Sequence, residues 1–119
     1  YTSCILFIFV TGWYTSRTVH IHMRVRTYDL DGNTTYEDTT QLYFNDTITD
    51  EVFTNVYPYS ERSVRDTNNT NDDLFTASNL MTLVGDYVEG YTTNVEFSIP
   101  FTNSEHSSNR FLTSIPDDE

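Results

Sequence analysis

Alternation of polar and apolar side chains marks residues 18–28 as a β-strand. Valine, isoleucine, methionine and valine occupy the odd positions 19 to 25, whereas two histidines and two arginines occupy the even positions 20 to 26. Side chains of a strand point alternately to its two faces. The pattern therefore predicts a strand with one buried face and one polar face.

The rest of the chain follows a predominantly β pattern with one helical interruption. Ile48, Val52 and Val56 recur at four-residue spacing, which predicts a short helix over residues 45–56. The sequence Asp-Gly-Asn at 31–33 is a turn signal that follows the first-described strand. Residues 60–71 are polar and are expected to form a long loop. Further strands are expected at 5–10, 39–44, 82–88 and 91–99.

Charge and hydropathy exclude two classes of partner. The chain of 119 residues, one domain at most, carries eighteen acidic residues and six arginines, a formal net charge of −12. Such a surface repels phosphate backbones, so we expect no nucleic-acid binding. The apolar run at residues 4–10 is shorter than the roughly 18 residues that a membrane span requires, so we expect no membrane partner either.

Three N-glycosylation sequons begin at Asn33, Asn45 and Asn68, each where a loop is expected. Glycosylation requires an exposed acceptor in a secreted protein, so the sequons indicate an extracellular location, with the signal peptide outside this chain. Cys4 is the only cysteine, which excludes an intramolecular disulfide.

Candidate metal chemistry is concentrated near the start of the chain. His20 and His22 lie two residues apart, so on one strand face their backbones are about 7 Å apart at a rise of about 3.3 Å per residue. Two imidazoles at that spacing can bind one metal ion, Tyr14 can add an oxygen ligand, and Arg17 supplies a fixed positive charge. The alternative interpretation of a His-x-His pair is a partly exposed cross-strand pair without metal.

The run Gly-Trp-Tyr-x-x-Arg-x-x-His-Ile-His at 12–22 resembles the metal-site segment of the intradiol ring-cleavage dioxygenases, which are non-haem iron(III) enzymes. The likeness is greatest to the secreted, fungal-type branch of that family. Similar stretches continue as Thr-Gln-Leu-Tyr-Phe at 40–44, Asn-Asp-Asp-Leu-Phe at 71–75 and Gly-Asp at 85–86. The resemblance covers residues from about 7 to 99.

The resemblance implies a ferric centre held by two tyrosinates and two histidines, a hard cation with anionic oxygen ligands. His20 and His22 correspond to the histidine ligands, and Tyr14 to the tyrosinate that leaves the metal when a catechol chelates it. Arg17 corresponds to an arginine that stabilises negative charge on the substrate. Gln41 corresponds to a glutamine beside that arginine, although an ordinary strand amide is the alternative interpretation.

The implied reaction is cleavage of a catechol-type aromatic diol by dioxygen between the two hydroxyl-bearing carbons, giving a muconate-type diacid. The implied fold is all-β, a β-sandwich. In the family the other tyrosine ligand and several strands lie upstream of the segment seen here. We therefore expect residues 1–101 to be the C-terminal portion of an incomplete sandwich with one short helix and long loops, and residues 102–119 to be a polar, flexible tail.

The missing phenolate leads us to expect that the chain alone binds ferric iron weakly, without a tyrosinate-to-iron(III) absorption band and without turnover. Two alternatives to an enzyme are a catalytically inactive β-sandwich fragment acting as a secreted binding module, and a fragment that does not fold alone.

The turn before the strand departs from the family's usual Pro-Gly-x-Tyr-x-Gly-Arg at two positions. Thr11 replaces the proline and Ser16 replaces the second glycine. Neither position supplies a ligand. Glycine permits a backbone angle that serine resists, so the departure at position 16 concerns backbone conformation.

Overall fold

The structure, a computed structural model, describes residues 6–8, 12–99 and 110–114. Strands dominate the regular structure of these residues, which form two three-stranded sheets and no closed barrel, as the all-β prediction requires. The elements are β1 Leu6–Ile8, β2 His20–Tyr28, β3 Thr34–Tyr43, helix α1 Asp46–Asn55, β4 Val84–Asp86, β5 Gly90–Thr93 and β6 Arg110–Ser114, with single 3-10 turns at Tyr59–Glu61 and Ala77–Asn79.

The chain divides into two compact units. The hairpin unit contains His22–Gln41 with residues 96–99 and 110–114, and the loop unit contains residues 6–8 and 12–21 with Leu42–Val95. The sheet β3-β2-β6 provides the strands of the hairpin unit, and the sheet β1-β5-β4 belongs to the loop unit. Strands β2 and β3 each have one end in the loop unit.

In the hairpin unit the predicted alternation of β2 is confirmed. Met23 and Val25 are buried, whereas the intervening arginines are partly exposed. Arg26 Nε donates to the Glu37 carboxylate and Arg24 Nε donates to Thr39 Oγ1. These side-chain pairs step by two residues in opposite directions, as antiparallel strands require.

The turn between β2 and β3 forms at the predicted Asp-Gly-Asn signal. Asp29 Oδ1 accepts the backbone N–H groups of Asp31 at 3.0 Å and Asn33 at 2.8 Å. Gly32 follows with a φ of +86°, in the left-handed region that glycine favours. This local order lets β3 begin at Thr34, five residues earlier than the predicted 39–44 strand.

Strand β6 lies within residues 102–119, the segment predicted to be a polar tail. It pairs antiparallel with β2, placing Arg24 opposite Ser114 and Tyr28 opposite Arg110. Its partner is distant in the sequence, so neither local composition nor periodicity in the tail could indicate the pairing.

In the loop unit the predicted helix at 45–56 is confirmed as α1. Asn45 caps it, because its Oδ1 accepts the Thr47 backbone N–H at 2.8 Å. Thr49 and Val52 are the buried residues of the helix. Arg65 reaches its first turns and pairs with Asp46 at 2.9 Å and Asp50 at 3.0 Å, a favourable arrangement for acidic side chains near a helix N-terminus.

The sheet of the loop unit is shorter than predicted. The strand predicted at 91–99 ends at Thr93, and that predicted at 82–88 is confined to Val84–Asp86. A tight turn separates the two strands, in which Asp86 Oδ1 accepts two backbone N–H groups at 2.8 Å. Gly85 has no space for a side chain, since a Cβ there would lie 2.0 Å from the Gly90 carbonyl oxygen.

The apolar core of the loop unit is formed by residues from several segments, namely Val19, Ile21, Leu42, Tyr43, Phe44, Val52, Met81 and Tyr91. None of the helices in the described part of the chain is both long enough and apolar enough to cross a membrane.

Candidate functional site

Tyr14 and His20 contact each other at the N-terminal end of β2, within the loop unit. The Tyr14 hydroxyl lies 3.1 Å from His20 Nε2, and the two rings meet edge to face with centroids 5.6 Å apart. His20 is buried, with 8% of its surface exposed, whereas Tyr14 is 44% exposed. The structure thus brings together two of the three predicted metal ligands.

The second nitrogen of His20 fixes the orientation and the tautomer of the ring. His20 Nδ1 lies 2.6 Å from the Thr18 carbonyl oxygen. A carbonyl oxygen only accepts, so in the neutral ring Nδ1 bears the hydrogen and Nε2 bears the lone pair. The Tyr14 hydroxyl then donates to Nε2. Histidines that bind metals commonly donate their other N–H to a backbone carbonyl in this way.

The spacing of the two atoms suits a shared ion. Ligand atoms held about 2.0–2.1 Å from one metal at ordinary coordination angles lie about 3 Å apart. The Tyr14 oxygen and His20 Nε2 are already at 3.1 Å. A metal can therefore replace the hydroxyl hydrogen without a large movement of either side chain.

Arg17 is held by a buried carboxylate. Its Nε lies 3.0 Å from Asp72 Oδ2, and the side chains of Arg17 and Asp72 are 14% and 0% exposed respectively. Asp72 Oδ2 also accepts the Thr18 backbone N–H at 2.7 Å, and Oδ1 accepts the Leu74 N–H at 2.7 Å. The ion pair is therefore an internal one, directly beside the residue that orients His20.

These contacts change the acid–base properties of the pair. Burial alone would raise the pKa of Asp72, but the N–H groups of Thr18 and Leu74, together with Arg17, lower it below its usual value. Burial opposes the charge on Arg17, yet the hydrogen bond and attraction to Asp72 raise its pKa. Both groups are charged at neutral pH.

A second hydrogen-bond chain supports Thr18 from the other side. The Thr18 hydroxyl donates to Asn69 Oδ1 at 2.7 Å, and Asn69 Nδ2 donates to the Phe44 carbonyl at 2.8 Å. All three residues are buried. Thr18 is therefore fixed through both its backbone and its side chain.

Tyr43 packs behind His20. Its ring centroid is 6.1 Å from that of His20 and 4.9 Å from that of Phe75, and its hydroxyl donates to the Leu74 carbonyl at 2.7 Å. Burial raises the pKa of Tyr43, although the neighbouring Arg17 opposes the increase. Tyr57 is instead 75% exposed.

His22 and Gln41 form a separate pair in the hairpin unit. Gln41 Nε2 lies 3.0 Å from His22 Nε2. An amide nitrogen only donates, so Nε2 of His22 accepts, and in the neutral ring its hydrogen is on Nδ1. Gln41 is thus in contact with a predicted metal ligand. This contact agrees with either interpretation of Gln41, as a site residue or as an ordinary strand amide.

The turn that carries Tyr14 has a left-handed residue at Ser16, whose φ is +70°. Its backbone N–H points to the Asp66 carboxylate at 3.2 Å. On the same turn, Trp13 stacks under Arg62, whose guanidinium lies 4.7 Å from the ring centroid, and Trp13 Nε1 donates to the Ser63 carbonyl. Serine here adopts the conformation that glycine favours.

Sequence reasoning assigned no role to Asp72, Thr18 or Asn69. One signal for Asp72 was available, since aspartate two residues before Leu74 in a polar loop is typical of a side chain that accepts the i+2 backbone N–H. The contact with Arg17, 55 residues away, had no local signal. Thr18 was assigned only to the predicted strand.

Among the described residues, no group of three or more His, Cys, Asp and Glu side chains is arranged to hold a metal ion. No family model matches the sequence, and comparisons with curated proteins and with solved structures also find no match.

Proposed function

We propose that Tyr14, His20 and His22 are ligands of a non-haem ferric ion, in an enzyme that cleaves catechol-type diols with dioxygen between the hydroxyl-bearing carbons. The observation that carries the proposal is the Tyr14–His20 pair, a phenol oxygen 3.1 Å from an imidazole nitrogen whose ring is oriented by the Thr18 carbonyl. A phenolate oxygen and imidazole nitrogen suit ferric iron.

His22 is included because it follows His20 on the same face of β2, as strand alternation requires. Its Nε2 accepts a hydrogen bond from Gln41, so Nε2 carries the ring's lone pair, and the Gln41 amide would turn away from it when a metal binds. Each histidine thus presents the same nitrogen in the same tautomer. Nε2 is therefore the atom of each ring that would bind a metal.

The left-handed Ser16 also supports the family assignment that underlies the proposal. The intradiol dioxygenases carry glycine at the corresponding position of the turn, and here φ is +70°. Glycine adopts this left-handed conformation with less strain than serine does, so a glycine would suit this position of the turn. The β-sandwich of that family is proposed from the same resemblance, and the six strands of the described residues are compatible with it.

The candidate site residues of the loop unit have separate roles in this proposal. Tyr14 would hold the ion through its deprotonated hydroxyl oxygen, and the same oxygen would accept a proton from the diol when the diol binds. His20 remains fixed by Thr18. Arg17, held by Asp72, supplies a positive charge near anionic oxygens of the substrate. The ferric ion would supply the Lewis acidity that makes the bound diol reactive toward dioxygen.

The proposed location is extracellular. Of the three sequon residues, Asn33 and Asn45 are exposed, as glycan acceptors must be, whereas Asn68 is half-buried. The partners in this proposal are a small aromatic diol and dioxygen.

Ferric-iron titration of the chain tests the ligand set. We expect weak binding of one ion, because one phenolate instead of two reaches it, and loss of that binding in Tyr14→Phe and His20→Gln. Tyr57→Phe, which removes a phenol that is 75% exposed, serves as the matched control. Binding that is equal in all four proteins would contradict the ligand assignment.

Conversion of catechol to a muconate-type diacid under oxygen tests the reaction. We expect no product from the 119-residue chain alone. We expect product from a longer protein in which an upstream segment carries the second tyrosine ligand. Product from the chain itself would mean that another tyrosine, with Tyr43 beside His20 the first candidate, provides the second phenolate. If the protein with the second tyrosine ligand binds iron but gives no product, the result would favour a binding module over an enzyme.

A further inference from the structure

We propose that Asp72 is a positioning residue for the Tyr14–His20 pair, acting through Thr18 rather than by contact with metal or substrate. The purpose of this positioning, metal binding, rests on the proposed function. The hydrogen bonds themselves do not depend on that function. The two oxygens of one buried carboxylate hold Arg17, Thr18 and Leu74.

The first step of the chain is the bond from the Thr18 backbone to Asp72. Thr18 N donates to Oδ2 at 2.7 Å, and the Thr18 carbonyl in turn accepts from His20 Nδ1 at 2.6 Å. Both groups belong to the same residue, so the carboxylate fixes the position from which the carbonyl acts on His20. The neighbouring Asn69 fixes the Thr18 hydroxyl, which leaves the residue little freedom to turn.

The second step concerns charge. Oδ2 also accepts from Arg17 Nε, so the same oxygen places the guanidinium and the Thr18 segment. An amide has one acceptor atom and one donor atom, so it cannot accept from Arg17, Thr18 and Leu74 together, because its nitrogen would face either the Leu74 N–H or the donors of Arg17 and Thr18. The chemistry of the site therefore requires a carboxylate at position 72, not merely a polar residue of the same size.

The experiment compares Asp72→Asn with Asp73→Asn by nitrogen-15 NMR of the histidine rings in the metal-free chain near pH 8. Asp73 is exposed, and its substitution removes the same charge from the adjacent position. We expect unmodified protein and Asp73→Asn to show His20 with the hydrogen on Nδ1. In Asp72→Asn we expect a mixture of the two tautomers. An unchanged His20 tautomer in folded Asp72→Asn would overturn the proposal.

Iron titration of the same proteins separates this inference from the proposed function. Loss of an outer contact of a metal-binding histidine typically lowers affinity about 10- to 100-fold, so we expect that loss in Asp72→Asn alone. A changed tautomer with no iron binding in any protein would retain the positioning role and reject the metal. Equal iron affinity in the two variants, despite a changed tautomer, would overturn positioning for metal binding.

Should Asp72→Asn not fold, amide hydrogen exchange in the unmodified chain provides the test. Thr18 and Leu74 both donate to the carboxylate, so both amides should exchange more slowly than exposed loop amides by about 100-fold or more. Exchange of the Thr18 amide at the rate of an unprotected amide would overturn the proposal.

Discussion

Two of the ion pairs among the described residues use the same types of side chain in opposite ways. In the hairpin unit, Arg26 pairs with Glu37 on the polar face of two strands, and the two side chains are 33% and 43% exposed. In the loop unit, Arg17 pairs with Asp72 where the carboxylate is fully buried. The first pair follows from strand alternation, whereas the second depends on a loop that returns from a distant part of the sequence.

The two ion pairs differ in what stabilises them. An exposed pair has little effect on folding because water and salt screen it. A buried pair opposes its own desolvation and remains favourable only with additional hydrogen bonds, which Thr18 and Leu74 provide here. Here the arrangement adjoins His20, so we expect it to act on the geometry of that residue.

The largest expected difference in the free energy of unfolding comes from removing the carboxylate of each ion pair. Asp72→Ala leaves Arg17 without its carboxylate and two backbone N–H groups without an acceptor, so we expect a loss of about 3–5 kcal/mol in the free energy of unfolding. Glu37→Ala should cost about 0–1 kcal/mol. Urea denaturation of both variants measures the difference. Similar losses would show that burial does not distinguish the two regions.

The pH dependence sharpens the same comparison. The pKa of Asp72 is lowered in the folded state because its hydrogen bonds and Arg17 outweigh burial, so its contribution is present above the unfolded pKa of about 3.9 and is lost as pH falls through the folded value. The stability gap between unmodified protein and Asp72→Ala should therefore narrow below about pH 4. A gap that is constant from pH 6 to pH 3 would contradict this assignment.

Two buried threonines provide a matched pair of smaller effects. The hydroxyls of Thr18 and Thr27 each make a hydrogen bond of 2.7 Å, but Asn69 is buried while Thr35 is exposed. Thr18→Val leaves a buried acceptor unsatisfied, so we expect a loss of about 1–3 kcal/mol. Thr27→Val should cost less, because water can replace the hydroxyl at Thr35. Equal losses in urea denaturation would remove the distinction.

Substitutions in the turns at Ser16 and Gly32 should have the smallest effects on stability. The two effects should have opposite signs. Ser16 and Gly32 both have positive φ, at +70° and +86°. Ser16→Gly should stabilise the protein by up to about 1 kcal/mol, because relief of backbone strain exceeds the added chain entropy. Gly32→Ser should destabilise by about 1 kcal/mol, although a Cβ there meets no atom within 4 Å. Thermal denaturation of both variants measures the signs.

Local regularity explains how much of this fold the sequence predicted. Strand β2, helix α1 and the Asp29 turn follow from alternation, four-residue spacing and turn chemistry, each within a short window. The end of β5 at Thr93 and the pairing of β6 depend on residues far away in the chain. Periodicity carries no information about such partners.

The candidate site divides in the same way. The spacing of His20 and His22, together with the resemblance, predicted Tyr14 and both histidines as metal ligands, and Tyr14 and His20 are in contact. The carboxylate behind them was not predicted, since Asp72 lies in a polar loop where most aspartates are solvated. Its burial follows from packing of the loop around Thr18 and Arg17, which no local pattern indicates.

The most direct test of the central claim, that Tyr14 and His20 share a ferric ion, is iron titration followed through the fluorescence of Trp13. Trp13 is the only tryptophan and adjoins Tyr14, so iron bound at this site should quench it. We expect saturable quenching in the unmodified chain and in Tyr57→Phe, weakening at lower pH because binding releases the Tyr14 proton. Quenching that is identical in Tyr14→Phe would contradict the claim.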